Sequence, residues 1–141
     1  MSGKKPYTYS SRIRFTHTDP AGYVFFPRFF EKFQAAVEDW FNLELAVDYA
    51  GLVLNRGLGL PTAHTECTFI KPCLLGEMLD LSLRLIRVGN TSLTVEFIGS
   101  VAGKQRLRAR SILVFIRLKD GTPVPIPADL RGKFEDYQAQ S

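Results

Sequence analysis

The sequence has only two cysteines and two histidines, and no run approaching eighteen consecutive apolar residues. Cys67 and Cys73 stand six positions apart in "CTFIKPC", which reads as part of one strand. At strand rise that puts them roughly 20 Å apart, too far for a disulfide. Neither belongs to a CxxC pair, and His17 and His64 have no ligand spacing with them, so no metal site is expected. Reduced thiols, buried or half-buried, are the expectation. The lack of a long apolar run argues against a membrane-spanning helix. The opening MSGKKPYTYS has neither the apolar stretch nor the small-residue cleavage site of a secretory signal, so a soluble cytoplasmic chain is expected. The net charge of +4 is scattered rather than gathered into a basic block, which suits a small polyanion as readily as a nucleic acid. Internal repeats and low-complexity linkers are also missing.

What is present fits one domain spanning residues 1–141, with 45% apolar residues to fill a core. From Tyr7 to Phe15 the run YTYSSRIRF alternates as a half-buried strand does. Pro20 and Gly22 then break regular structure and place Asp19 in a loop. Apolar residues recur at 26, 29, 30, 33, 36, 37, 40 and 41, the spacing of a helix of about four turns. Pro27 fits its first turn, and Glu31, Lys32, Glu38 and Asp39 make its polar side. A second helix is expected from Ala46 to Asn55, stopped by Gly57.

Beyond Leu60 the texture turns to β. PTAHTECTFIKP, MLDLSLRLIRV, SLTVEFIGSVA and QRLRARSILVFIRL are separated by the short turns LLGE, GNT and AGK, which predicts an antiparallel meander. The proline-rich DGTPVPIPADL leads to a last helix near Asp129 to Tyr137. The class is α+β, with the sheet and the long helix burying each other.

This layout resembles the hotdog fold, a curved antiparallel sheet wrapped around one long central helix. The loop and helix start, through Phe15, Asp19, Pro20, Ala21, Gly22, Val24, Pro27 and Phe29, resemble those of the 4-hydroxybenzoyl-CoA thioesterase family. Pro72, Gly76, Gly89 and Ser92 match the family's strand-turn-strand punctuation, and PIPADL its closing segment, so the resemblance runs from about Ser11 to Phe134.

The resemblance implies hydrolysis of an aromatic or short-chain acyl-CoA to free acid and CoA, with no cofactor. It implies that Asp19 either attacks the thioester carbonyl or activates the water that does. It gives the backbone N–H of Phe26 as oxyanion donor, with Gly22 and Tyr23 shaping the loop, since a helix N-terminus offers free N–H groups. By composition alone Asp19 also suits a turn or a helix cap. The phenylalanines at 25, 26, 29 and 30 suit core or subunit interface, with Phe25 a candidate for the acyl pocket. His17 either orients Asp19 or is a plain loop residue. Thr62 and His64 are candidates to touch substrate at the start of the first meander strand.

Two positions depart from the family. Where its helix carries an aspartate near the phenol end of the substrate, this chain has Gln34. Its basic cluster for the nucleotide phosphates is missing from VGNTS, residues 88–92. Arg87, Lys104, Arg106, Arg108, Lys119 and Arg131 are the alternatives for phosphate, with Arg87 and Arg106 preferred as substrate-binding. The resemblance also implies a homodimer or homotetramer, and open sheet edges with an unusually apolar helix agree. Two other readings stay open: a hotdog acyl-thioester hydratase or dehydratase pairing His17 with Asp19, and a non-catalytic module binding an acyl-carrier protein or nucleic acid.

Overall fold

The computed structural model describes residues 6–23 and 27–140. The first strand, β1 (Tyr7–Arg12), is shorter than the alternation predicts. Ile13 leaves the ladder by giving its N–H to Glu77 O and accepting from Gly76 N–H. The chain then makes a 3₁₀ turn at Phe15–His17, which leaves Phe15 79% exposed rather than inward.

The long helix α1 runs Pro27–Asp39 and widens into a π turn at Trp40–Glu44. Phe29, Phe33, Ala36 and Val37 form its buried stripe, as the spacing predicts. Lys32 does not join the polar side: it is 5% exposed. It lies three residues after Phe29 and four before Ala36, on the margin of the apolar face. The second helix α2 (Tyr49–Leu54) starts later than expected because Ala46 has φ +57°, which a helix cannot contain; its C-cap is Asn55.

The strands β2 (Leu58–Gly59), β3 (Thr62–Phe69), β4 (Met78–Val88), β5 (Ser92–Val101), β6 (Lys104–Val114), β7 (Ile116–Arg117) and β8 (Thr122–Pro123) precede the final helix α3 (Ala128–Gln140). The main sheet is antiparallel in the order β1-β4-β5-β6-β3, and β2, β7 and β8 form a small second sheet. The predicted meander therefore holds for β4 to β6, whereas β3 lies beyond β6. LLGE is no hairpin turn. Ile70 and Lys71 donate to Arg106 O, Leu75 to Gly22 O and Gly76 to Ile13 O, so residues 70–77 cross the sheet end from β6 toward β1.

That path also corrects the cysteine reading. Cys73 lies past the end of β3 and is buried, Cys67 is half-buried within β3, and both are free thiols. Leu79, Leu81, Leu83 and Leu85 of β4 and Leu93, Val95 and Phe97 of β5 bury one sheet face against α1. Trp40 and Phe41 pack on Phe134 of α3, closing the core at the other end of the helix. A five-stranded antiparallel sheet around α1 is the expected hotdog fold.

Candidate active site

The Asp19 loop is fixed at both ends by backbone bonds. Ile13 and Gly22 each accept from the β3–β4 crossing, through Gly76 N–H at 2.9 Å and Leu75 N–H at 3.1 Å. Within the loop, Asp19 N–H donates to Tyr23 O at 2.9 Å, and Gly22 N–H donates to Asp19 O at 2.9 Å. Gly22 has φ +84°, a conformation that glycine adopts without steric cost.

The side chain of Asp19 is held through one oxygen. Oδ1 accepts from Ala21 N–H at 2.9 Å and Tyr23 N–H at 3.3 Å. Among the described residues Oδ2 has no hydrogen-bond partner, and the side chain faces an open groove of about 550 Å³ lined by Phe15, Thr18, Pro20, Gly22 and Leu75. The turn-forming and chemical readings of Asp19 thus use different atoms of one carboxylate. Phe25 and Phe26, the predicted pocket residue and oxyanion donor, lie outside the described residues.

His17 is turned away from this carboxylate. Its Nδ1 accepts Arg14 N–H at 3.0 Å and lies 3.4 Å from Lys32 Nζ. Burial and then the nearby Lys32 charge lower its pKa, which favours the neutral imidazole. The His17–Asp19 pair that a hydratase would need is not formed among the described bonds.

A second cavity, of about 150 Å³, opens between α1 and the sheet. Phe30, Phe33 and Phe97 are its aromatic lining, and Gln34, Thr62, Thr65 and Ser111 its polar groups. Gln34 Nε2 donates to Glu38 Oε2 at 3.0 Å and Tyr49 Oη at 3.2 Å, which fixes its amide at the mouth. Thr62 reaches this cavity through a bulge. Thr62 pairs with Leu113 and His64 with Ile112, so two steps along β3 oppose one along β6. The extra residue turns Thr62 toward α1 and leaves His64 on the other face, where its Nε2 lies 3.3 Å from Glu66 Oε1. Thr65 and Ser111, which sequence reasoning missed, meet there at 2.9 Å; they alternate in phase with the buried positions of their strands.

Arg87 and Arg106 do not converge on either cavity. Arg87 is exposed near the far end of β4, roughly 30 Å along the strand from its Met78 end. Arg106 is bound to both oxygens of Glu77 and to Pro72 O. Arg131 holds the carbonyls of Gly89 and Asn90 in VGNTS, the turn that lacks the family's basic cluster.

The thioesterase-like superfamily matches residues 13–134. The chain belongs to that superfamily. Among its relatives, the 1,4-dihydroxy-2-naphthoyl-CoA hydrolase of Synechocystis is 25% identical over 123 residues, covering 86% of this chain and 88% of the relative. The hydrolase of the same name from Thermosynechococcus vestitus is 27% identical over 123 residues, covering 86% and 84%. A gentisyl-coenzyme A thioesterase structure superposes with a TM-score of 0.83 at 23% identity, over 91% of this chain and 99% of that one. A Staphylococcus aureus protein solved in complex with CoA gives 0.88 at 13% identity, over 100% and 88%. Identities this low make the two structural likenesses evidence of shared fold. The 4-hydroxybenzoyl-CoA specificity suggested by the loop is not what these relatives' names carry.

Proposed function

We propose that the chain hydrolyses an aromatic acyl-CoA thioester, with Asp19 as the reacting carboxylate and the acyl ring in the cavity beside Phe33. The observation that carries this reading is the Asp19 carboxylate, anchored through Oδ1 with Oδ2 unengaged among the described residues, just ahead of a helix whose flank opens into an aromatic cavity. From Pro27 to the cavity's Gln34 is seven residues, about 10 Å along the axis of α1, and the proposal has the substrate span from the Asp19 groove to that cavity.

In the general-base route Asp19 takes a proton from water as the oxygen attacks the thioester carbon. The C–S bond then breaks, the proton passes to the departing thiolate, and the acid is released as carboxylate. In the nucleophilic route Asp19 attacks first and water cleaves the anhydride. Both need a donor for the developing oxyanion, which the proposal assigns to the N–H of Phe26, the residue before Pro27 in the sequence. Gly22 and Tyr23 hold the loop that aims Asp19.

The relatives named for naphthoyl-CoA and the aromatic lining favour a one- or two-ring acyl group over a short aliphatic one. A homodimer or homotetramer belongs to the proposal. β3 ends the strand order of the sheet, and Phe69 and Ile70 at its end are 38% and 52% exposed. The test is a hydrolysis screen of benzoyl, hydroxybenzoyl, dihydroxynaphthoyl, phenylacetyl and acetyl CoA esters with wild type and Asp19→Asn. Turnover of aromatic esters that Asp19→Asn abolishes is expected; undiminished turnover in the variant would remove Asp19 from the chemistry.

A further inference from the structure

A third cavity, of about 380 Å³, lies between β1 and the first turns of α1, lined by Ser11, Arg12, Arg14, His17, Arg28 and Lys32. Its only carboxylate among the described residues is Glu31, which is spent on Arg28 through contacts of 2.8 and 3.1 Å. Arg12, Arg14 and Lys32 therefore line it with no acidic partner among the described residues, Arg12 giving its Nη1 to Gly76 O at 2.9 Å. Lys32 is 5% exposed, and among the described residues its Nζ has hydrogen-bond partners that are neutral: it donates to Ser11 Oγ and lies near His17 Nδ1. A buried ammonium without a counter-charge costs several kcal/mol in real proteins. Burial accordingly lowers the Lys32 pKa. An anion in the cavity would reverse that cost.

We propose that this cavity is a binding site for a small phosphate-type dianion, held by Lys32, Arg14 and Arg12 and separate from the acyl cavity. Phosphate suits a site that combines an ammonium with guanidinium groups. The cavity shares no lining residue with the groove at Asp19, but His17 lines the one while its neighbours Phe15 and Thr18 line the other. That nearness favours a free anion over the phosphates of CoA. If the thioester carbonyl sits at Asp19, the long pantetheine arm carries the coenzyme's phosphates past a site that begins two residues away. An anion bound here would brace the Phe15–His17 turn from behind, linking local anion concentration to the position of Asp19.

Isothermal titration calorimetry of the full chain, with inorganic phosphate and with adenosine 3′,5′-bisphosphate, tests the assignment. It reads binding whether or not the chain turns over a thioester, so failure here leaves the proposed activity standing. Wild type should bind one equivalent of phosphate. Lys32→Met and the surface change Arg14→Gln should each weaken it at least tenfold, whereas Arg56→Gln, which removes an equal charge elsewhere, should not. A purely structural Lys32 would instead show a lower melting temperature in Lys32→Met with phosphate affinity unchanged. No phosphate heat, equal affinity in Lys32→Met, or equal losses in all three variants would overturn the site. Lys32-dependent binding of the bisphosphate alone would overturn the free-anion assignment and make this the coenzyme's phosphate subsite.

Discussion

Phe33 of α1 and Phe97 of β5 stack almost flat, with ring centroids 4.7 Å apart and planes 13° apart. The pair forms a wall of the 150 Å³ cavity, a volume known to admit a single benzene-sized ring in other proteins. At the same cavity the hydroxyls of Thr65 and Ser111 are paired with each other. A ring hydroxyl arriving there would find both a donor and an acceptor.

Thr65→Val and Ser111→Ala should therefore reduce the preference for hydroxylated over plain aromatic acyl groups. The loss of one neutral hydrogen bond, about 1 kcal/mol, corresponds to roughly a fivefold change in the ratio of kcat/KM values. The measurement is that ratio for hydroxybenzoyl-CoA against benzoyl-CoA. An unchanged ratio in both variants would place the acyl group somewhere other than this cavity.

Asp19→Asn separates the two tasks of one side chain. The amide oxygen can still accept from Ala21 and Tyr23 N–H, so the loop should persist and stability should move by no more than about 0.5 kcal/mol. Loss of the carboxylate should lower kcat by about a hundredfold or more. Equal melting curves with kcat reduced on this scale are the expected result. A large fall in melting temperature would mean that the turn itself depends on the charge.

Gly22→Ala probes the same loop through its backbone. Among the described residues no atom lies within 4 Å of where the new Cβ would stand, so the penalty expected is that of φ +84°. Holding an L-residue there costs roughly 1–2 kcal/mol. The Gly22 peptide also joins Leu75 to Asp19 through its carbonyl and its N–H, so relief of that strain would shift the carboxylate. Urea unfolding should report the stability cost, and kcat should fall about tenfold while KM changes little.

The parts of this molecule legible in the sequence are those set by local pattern. MLDLSLRLIRV became β4 residue for residue because its alternation from Leu79 to Leu85 is bounded by turn-forming residues, with a register shift only between Leu85 and Arg87. The DPAG turn put Asp19, Gly22 and Tyr23 in one loop, as read. The rest depended on partners distant in sequence. Nothing in residues 70–77 says that the chain passes two strands, β6 and β5, before pairing again, so the sequence alone sets β3 next to β4. Thr62 and His64 looked equivalent until the bulge between them turned one inward. Charge alone puts Lys32 on the polar side, although its spacing from Phe29 and Ala36 sets it at the apolar margin. Arg106 looked free for phosphate because its partner, Glu77, comes 29 positions earlier.

That last pair gives a pH-dependent prediction. Arg106 donates to both Glu77 oxygens at 3.0 Å, and both side chains are largely shielded, at 16% and 23% exposure. The Arg106 bond, then the Leu74 N–H bond, hold the Glu77 carboxyl below its ordinary pKa. A carboxylate with a depressed folded-state pKa stabilises the fold fully above its unfolded value of about 4.3. The contribution fades as pH falls through the lower folded value. At pH 7 Glu77→Gln should cost about 2 kcal/mol, the scale of hydrogen bonds to a charged group. The gap between wild type and variant should narrow steadily below about pH 4, where wild-type Glu77 becomes protonated as well. Urea midpoints at pH 7, 5, 4 and 3 check this; a gap that stays constant through the series would show that the pair's charge contributes nothing. Arg106→Gln should show the same narrowing with KM for acyl-CoA unchanged. A rise in KM of tenfold or more would instead return Arg106 to the substrate.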